Sequence, residues 1–493
     1  MSEENALTTI YNSFPGISCA YYDQTGKVTR KYYGLADKEQ KIPVDGNTVF
    51  PACSISKFIT AICVMKEYEQ DRLDIDKPVN CYLEKWKFHT PEGDESDATV
   101  LSLLCHTAGT VDGEDAFCGL RRTDPPIGLI DVLEGNTSYN DRPARAEMIP
   151  GTGFEYSDAG YCILQLMLEQ LEKKPFEEIA FELLFAPLGL KNTFFASPKN
   201  LDDYERRNIM ATGYDEKVVA IPGKYPRIPD LAASGLWASP YELLFIGKEF
   251  VNAYKGKSSL LTENSAREIA KPVERLPWTG LGVFMGGENE IVTRGWGENG
   301  QSMMRINYLT EEIAVVMTNR NPGVDQSESG IEWLINNTMT HKEKALDYFY
   351  RKFHCSQSVL AAFAPECGLT EEQALKLGAC FGSGIRKCEV CGACTGALMV
   401  LGALYGQYDK ADPESRIRAN EVNDKMMDGF SKVCGSYICN DLLKCDVSTP
   451  EGYRYCFDNN LFTEFCPKMV ANAVDVLEKI IEEMNTGSIS PSK

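Results

Sequence analysis

The chain has 493 residues, which is too long for one ordinary domain, so the length predicts two or three domains. The hydrophobic content of 43% is that of a folded globular protein. A net charge of −21 argues against nucleic acid and membrane surfaces as partners, and no apolar run reaches the roughly 20 residues of a membrane span. The opening residues MSEENALTTIYNSFPG lack the pattern of a secretory signal, so we expect a cytoplasmic protein.

Hydrophobic periodicity predicts strands at both ends of the first two thirds of the chain and helices between them. The predicted strand segments are 16–34, as a hairpin around a turn at 24–26, 302–309 and 311–319. The predicted helices begin at Ser56 and cover 161–174 and 331–339. This order predicts an α+β fold whose terminal segments share one sheet.

A polar stretch near residue 340 marks a predicted domain boundary, beyond which strand patterns nearly disappear. The predicted helices of this second part are 344–364, 370–382, 391–406, 418–433 and 467–484. Thr370 and Gln373 have the spacing of a capping box. We therefore predict a first domain over 1–338, an all-α domain over 343–484, and a flexible tail over 485–493.

Ser54 and Lys57 lie three positions apart at the start of an apolar helix, so Lys57 can reach the Ser54 hydroxyl. Burial of this turn would lower the pKa of the lysine and make it a general base. A serine at a helix N-terminus also lies near free backbone N–H groups that could bind an oxyanion. The alternative interpretation is a helix-capping serine beside a lysine that extends to solvent.

Four segments of this part of the chain resemble, in the same order, the motifs of one enzyme superfamily. They are NTVFPACSISKFITAICVMKEYEQDRLDIDKPV, LLCHTAGT, PGTGFEYSDAGY and AASGLWASPYELLFIGK. From about residue 10 to 338 the chain resembles the serine beta-lactamase and penicillin-binding-protein superfamily, in particular class C beta-lactamases and related esterases. The resemblance implies an antiparallel sheet flanked by helices, a helical subdomain, and no cofactor in this domain. It also implies that Ser54 is the acylated nucleophile, Lys57 its proton acceptor, and Tyr156 a proton shuttle to the leaving group. His106 matches a family position, and we interpret it as structural.

Two positions depart from the family pattern. Asp158 replaces the usual asparagine, and this anion would repel carboxylate-bearing substrates unless it pairs with Lys57. The family's third motif, a lysine or histidine followed by any residue and then a glycine, should fall within 291–308. There Arg294 takes the basic position, followed by Gly295, and Trp296 falls where the glycine is expected. We predict that these residues contribute to substrate binding, with Arg294 holding a carboxylate. The alternative for Arg294 is a surface residue.

The departures favour an esterase or amidase that acts on a small-molecule acyl substrate. Two alternatives stay open: a beta-lactamase or D-alanyl-D-alanine carboxypeptidase, and a catalytically degenerate scaffold that binds a ligand. The sequence does not decide the oligomeric state, and a homodimer is compatible with it.

Cysteines concentrate in the second part of the chain, where 11 of the 18 lie between Cys355 and Cys466. Cys388, Cys391 and Cys394 form C-x2-C-x2-C, a spacing shared with iron–sulfur proteins, and Cys466 could supply a remote fourth ligand. The alternative is a tight bundle that uses cysteine as a small apolar residue. The high count favours metal, cluster or dithiol chemistry.

Residues 345–482 contain CGACTG and further cysteines on either side of it. This stretch resembles a redox-active family named for its C…C-G-A-x-x-G…C…C pattern. The resemblance implies four characteristic cysteines, which are Cys355, Cys391, Cys439 and Cys466 in this chain. We expect a zinc ion, an iron–sulfur cluster or a redox disulfide at these cysteines.

Overall fold

The computed structural model describes residues 13–197, 201, 204–287, 289–336, 341–364 and 366–485. The chain divides into two compact units, Thr9–Thr338 and a second one that contains Met339–Lys493. Each unit has a hydrophobic core of its own. Among the described residues, no helix is both long and apolar enough to cross a membrane. Of the tail predicted over 485–493, Asn485 is the last residue of the final helix, and 486–493 lie outside the described residues.

The first unit is built around a seven-stranded sheet with the strand order β3-β2-β1-β10-β9-β8-β7. Its strands are β1 (Gly16–Tyr22), β2 (Val28–Asp37), β3 (Ile42–Pro43), β7 (Phe284–Gly287), β8 (Glu290–Gly297), β9 (Gly300–Asn307) and β10 (Ile313–Thr318). A smaller sheet of order β4-β6-β5 contains β4 (Phe50–Pro51), β5 (Thr193–Phe195) and β6 (Leu236–Ala238).

The sheet joins the two ends of the unit, as the sequence predicted. β1 pairs antiparallel with β10, from Ile17 opposite Thr318 to Tyr22 opposite Ile313. All six residues of β10 are buried, which explains its continuous apolar sequence, because a central strand is covered on both faces. The α+β fold and the hairpin β1–β2 are thus confirmed.

Helices of the first unit pack beside these sheets. They are α1 (Ile55–Glu69), α2 (Val100–Leu104), α3 (Leu129–Leu133), α4 (Asp158–Glu172), α5 (Phe176–Ala180), α6 (Leu231–Ser234), α7 (Pro240–Tyr254), α8 (Glu263–Ile269), α9 (Gln326–Ser329) and α10 (Ile331–Asn336). α1 is buried on nearly every side, and its apolar residues belong to the main core. The nucleophile candidate at its N-terminus therefore stands on a rigid element.

The described part of the second unit is helical, with one isolated bridge between Val390 and Ile438. Its helices are α11 (His341–Tyr350), α12 (Cys355–Ala362), α13 (Glu371–Gly378), α14 (Gly392–Tyr405), α15 (Pro413–Cys434), α16 (Cys439–Leu443), α17 (Pro450–Asp458) and α18 (Cys466–Asn485). Thr370 and Gln373 form the predicted capping box. The single helix predicted over 344–364 is wrong, because the chain turns at 351–354 with Lys352 in the left-handed region at φ 74°.

Candidate active site and cysteine cavity

Ser54 lies directly before α1, on a turn that presents its hydroxyl without using it as a cap. The preceding residue, Cys53, is buried and left-handed at φ 49°, a conformation that is uncommon for a residue with a side chain. The N–H groups of Ile55, Ser56 and Lys57 donate to carbonyls of the same turn at 3.2, 2.9 and 3.1 Å. The free helix N–H groups that we expected for an oxyanion are therefore occupied at these three positions.

Lys57 is 2% exposed, and its ammonium makes three hydrogen bonds. Nζ donates to Ser54 Oγ at 3.2 Å, to Asp158 Oδ1 at 2.5 Å and to the Ala233 carbonyl at 3.0 Å. Burial alone would lower the pKa of Lys57, but Asp158 and Tyr156 raise it above its ordinary value. The expected lowering of this pKa is therefore wrong, because the neighbouring carboxylate outweighs the loss of water.

Tyr156 completes the group around the serine hydroxyl. Its hydroxyl interacts with Ser54 and Lys57, and Lys57 Nζ lies 4.8 Å from the centre of its ring. Although 37% of Tyr156 is exposed, desolvation of its hydroxyl raises its pKa. The Lys57 cation opposes this rise and Asp158 adds to it, so that the net change is upward. The structure thus brings together the three residues that the sequence predicted as catalytic, and it pairs Asp158 with Lys57.

His106 supports Tyr156 and takes a structural position. Its ring stacks on Tyr156 at 4.4 Å between centroids, and its Nδ1 accepts the backbone N–H of Ser157 at 3.1 Å. Burial, together with the Lys57 charge, holds the pKa of His106 well below its usual range. The imidazole is therefore neutral, and its accepting Nδ1 assigns the proton to Nε2.

Asp112 is a supporting residue that the sequence did not reveal. Its carboxylate accepts Ser157 Oγ at 2.7 Å and the backbone N–H of Asp158 at 2.6 Å, at the start of α4. Burial and the nearby Asp158 raise the pKa of Asp112 to about 6, although its hydrogen bonds with Ser157 and the helix lower it. Asp112 thereby fixes the segment that carries both Tyr156 and Asp158.

A third carboxyl group, Asp230, lies in this region and is fully buried at the start of α6. Its Oδ1 accepts the Tyr139 hydroxyl at 2.7 Å, while Oδ2 has no hydrogen-bond partner among the described atoms. Burial and Asp158 raise the pKa of Asp230 to about 7. Of the three acids, Asp158 alone makes a described ion pair with Lys57.

The cysteine cavity lies within the second unit and has a volume of about 490 Å³. The four cysteines of the predicted pattern line it together, namely Cys355, Cys391, Cys439 and Cys466. A side chain on Gly392 would come within 2.3 Å of Cys355 Sγ, so the glycine of the CGA motif lets two of these thiols approach.

Burial raises the pKa of all four cavity thiols, to about 12 for Cys466. Neighbouring thiols add to the rise for Cys391, Cys439 and Cys466. The cavity thiols are therefore protonated at neutral pH.

The other two predicted cysteines do not line the cavity. Cys394 packs into the helical core, where its Sγ lies 3.7 Å from Met427 Sδ. Cys388 accepts the backbone N–H of Val447 at 3.0 Å and interacts with Cys439. Its neighbourhood includes a further pair, because Cys445 Sγ lies 3.0 Å from Cys456 Sγ. Among the described residues, no group of three or more Cys, His, Asp or Glu side chains is positioned to hold a metal ion.

A comparison with protein families gives a match to the model described as beta-lactamase over residues 5–335. The chain belongs to the beta-lactamase family. A second family model, described as "Putative redox-active protein (C_GCAxxG_C_C)", matches residues 353–480. The two family models thus confirm the predicted fusion of a beta-lactamase-like domain with a cysteine-rich domain.

Curated relatives cover part of the beta-lactamase-family unit. Esterase EstB of Burkholderia gladioli is 29% identical over 174 residues, which are 34% of this chain and 44% of that protein. A beta-lactamase of Pseudomonas fluorescens is 30% identical over 234 residues, or 46% of this chain and 58% of that protein. The chain spans about half the length of the curated relatives it matches.

Solved structures show the same fold at low sequence identity. The octameric penicillin-binding protein homologue from Pyrococcus abyssi aligns with a TM-score of 0.55 and 21% identity, covering 72% of this chain and 80% of that one. The D-amino acid amidase from Ochrobactrum anthropi SV3 aligns with a TM-score of 0.55 and 17% identity, covering 68% and 100%.

Two glycines of β8 lie against the turn that carries Ser54. A side chain on Gly295 would come within 2.2 Å of the Ala52 carbonyl, and one on Gly297 within 2.9 Å of Cys53 Sγ. The small residues that let β8 approach the nucleophile turn are therefore 295 and 297. Strand alternation places Arg294 and Trp296 on the other face of β8.

The structure consequently does not bring Arg294 and Trp296 to the catalytic group. Arg294 forms an ion pair with Glu332 of α10 at 2.9 Å, and the Trp296 indole donates to Asn321 Oδ1 at 2.9 Å. Their predicted roles in substrate binding stay predictions. Gly295, by contrast, lies against the turn that carries Ser54.

Proposed function

We propose that the beta-lactamase-family unit is a serine hydrolase that forms an acyl-enzyme on Ser54, with Lys57 as general base and Tyr156 as proton shuttle. The observation that carries this proposal is the position of Lys57 Nζ, 3.2 Å from Ser54 Oγ, with Tyr156 interacting with both side chains. A base within hydrogen-bond reach of a hydroxyl is the arrangement that activates a serine nucleophile.

The serine proton has to pass to Lys57 or Tyr156, so this pair must first lose one proton. Asp158 favours the cationic form of Lys57 and therefore delays that loss as the pH rises. After attack, the protonated pair can return the proton to the leaving group through the Tyr156 hydroxyl. The proposed activity is thus expected to increase toward alkaline pH.

The proposed substrate is an ester or amide that has a small acyl group and an apolar group able to contact the aromatic residues beside Tyr156. Beside the Tyr156 ring, Phe154 packs on Trp278 with ring centres 4.3 Å apart, and Phe284 stacks on Tyr156 at 6.4 Å. Trp278 is 43% exposed, so this aromatic group presents an apolar surface near the nucleophile. The names of the relatives, an esterase and an amidase among them, agree with this substrate class.

Labelling with a serine-reactive fluorophosphonate tests the proposal directly. The full chain should carry one adduct on Ser54, and p-nitrophenyl acetate should give a burst that Ser54→Ala abolishes. Ser258→Ala, which lies outside the catalytic group, serves as the matched control. Equal bursts in the wild type and in Ser54→Ala would refute the acyl-enzyme mechanism.

A ligand-binding scaffold without catalysis is the second candidate, favoured by the three hydrogen bonds that hold the Lys57 ammonium. Under this alternative no adduct forms at any pH up to 10, while the folded protein still binds acyl compounds in calorimetry. Adduct formation at Ser54 would exclude it.

For the second unit we propose thiol–disulfide chemistry at the cysteine cavity. The convergence of four cysteines from separate helices on one cavity supports this proposal. The described donors do not fit a metal ion, so the proposed chemistry uses the thiols alone. Metal analysis of protein purified without oxygen, with thiols counted before and after mild oxidation, tests the predicted cofactors.

The 18 cysteines are all free thiols in the structure, which supports a reducing, cytoplasmic location as part of the same proposal.

Light scattering of the purified chain would decide whether it forms the homodimer that the sequence allows.

A further inference from the structure

The size and the lining residues of the cysteine cavity indicate which kind of ligand would fit it. Its volume of about 490 Å³ lies within the range of small-molecule sites. Aromatic side chains form much of its lining, including Phe353, Tyr453, Phe457, Phe462 and Phe465. An apolar or aromatic body would replace water against these rings.

The charge of the cavity is opposite to that of the chain. The lining contains Lys352 and Arg386, and none of its described residues is acidic, although the chain has a net charge of −21. Both cations are exposed, and neither makes an ion pair within the described residues. Burial and Arg386 lower the pKa of the third basic lining residue, His354, so that it is neutral. Two exposed, unpaired cations that contribute to the lining beside apolar walls favour a ligand that carries an anionic group.

Backbone strain concentrates at the same place. Lys352, Ser383 and Arg386, which all line the cavity, have left-handed φ angles of 74°, 53° and 61°. The neighbours Ile385 and Cys388 are also left-handed. Residues with side chains adopt this region at a cost, and such strain clusters at ligand-binding positions. The strained segment is the one that presents the Arg386 cation.

We propose that the cysteine cavity binds a small organic disulfide that has an aromatic or apolar body and a carboxylate, and that the cavity thiols reduce it. This assignment rests on the proposed thiol–disulfide chemistry and adds the substrate class. One cavity thiolate attacks a sulfur of the bound disulfide, the S–S bond breaks, and one organic thiolate leaves. A second cavity thiolate then attacks the mixed disulfide and expels the other organic thiolate.

The two steps balance. The organic disulfide takes up two electrons, and two protein thiols lose two electrons and two protons to form one protein disulfide. Because only the thiolate attacks, the raised pKa values of the cavity thiols make the exchange slow at neutral pH and faster as the pH rises.

Three disulfides separate charge from shape in the test: anionic aromatic 5,5′-dithiobis(2-nitrobenzoate), neutral aromatic 2,2′-dipyridyl disulfide, and cationic aliphatic cystamine. The full chain is reduced and reacted without oxygen at pH 8.5, in a background where the exposed cysteines Cys81, Cys118 and Cys380 are serine. Mass spectrometry identifies which cysteines have reacted.

Each rate is divided by the rate of the same probe with 2-mercaptoethanol, because the three leaving thiols differ in pKa. On this scale we expect the anionic probe to react fastest at the cavity cysteines. Arg386→Gln should slow it about three- to tenfold and leave the neutral probe within about twofold, an effect that high salt removes. Arg416→Gln, an exposed arginine on α15, is the matched control and should change neither rate. Equal normalised rates for all three probes, unaffected by Arg386→Gln, would refute the ligand class while leaving the thiol chemistry intact. Unchanged probe consumption in Cys391→Ser and Cys439→Ser would instead refute the thiol chemistry itself.

Discussion

Replacement of Asp158 by asparagine is the sharpest test of the proton arrangement around Ser54. Asp158 Oδ1 lies 2.5 Å from Lys57 Nζ, and unit charges at that separation attract by about 7 kcal/mol at an effective dielectric of about 20. The side chain of Asp158 is 22% exposed, its charge is shared by two oxygens, and asparagine keeps one hydrogen bond. We therefore expect a loss of about 2–4 kcal/mol, which lowers the pKa of Lys57 by about 1.5–3 units.

The pH dependence of acylation measures this shift. Because Lys57 can act as the proposed base only when neutral, its raised pKa should confine the proposed acylation to alkaline pH. Asp158→Asn should then move the rising limb of the pH–rate profile to lower pH by that amount. The assay is the burst of p-nitrophenyl acetate between pH 6 and 10, with circular dichroism to confirm folding. Asp230→Asn is the matched control, since this buried carboxyl does not contact Lys57 and should shift the limb much less.

Two results would refute the reasoning. An unchanged limb in Asp158→Asn would show that the carboxylate does not set the protonation of Lys57. Loss of the burst at every pH in a folded variant would show that Asp158 holds the lysine in place instead of tuning its pKa.

Three further predictions concern single residues. Because the pKa of Asp112 is raised to about 6 in the folded state, ionisation of this carboxyl lowers the free energy of unfolding as the pH rises from 4 to 6. Asp112→Asn should therefore remove this decrease from the pH dependence of thermal unfolding. Gly295→Ala should lower the free energy of unfolding by about 2 kcal/mol or more and slow acylation, whereas Gly287→Ala, which meets no atom within 4 Å, should do neither. One equivalent of diamide should link Cys445 to Cys456, whose sulfurs lie 3.0 Å apart, and a peptide map without this linkage would contradict that prediction.

The sequence predicted those parts of the site that are set locally or by family motifs. Ser54 and Lys57 are one helical turn apart, so their contact follows from the helix alone. The pairing of β1 with β10 follows from two apolar strands at the ends of one unit. Tyr156 came from the resemblance, because nothing in its own neighbourhood indicates a contact with Ser54.

The remaining features depend on tertiary approach, which spacing does not encode. Asp112 lies in a loop and acts on a helix that begins 46 residues later. The register of β8 could not be counted from the sequence, since Gly295 and Gly297 both satisfy the contact with the nucleophile turn. In the second unit, α14 begins at Gly392 and turns Cys394 into the core, so that the C-x2-C-x2-C spacing does not form one site.

The two sites keep their reactive groups protonated at neutral pH for different physical reasons. Lys57 is buried yet cationic because an anion contacts it, whereas the cavity thiols are neutral because burial and their neighbours oppose the thiolate. Both proposed reactions should accelerate with pH, so a shared alkaline profile would not show that the sites are coupled. Asp158→Asn separates them, because it removes the charge that acts on Lys57 and leaves the thiols unchanged. A shift of acylation without a shift of disulfide reduction would establish two independent titrations within one chain.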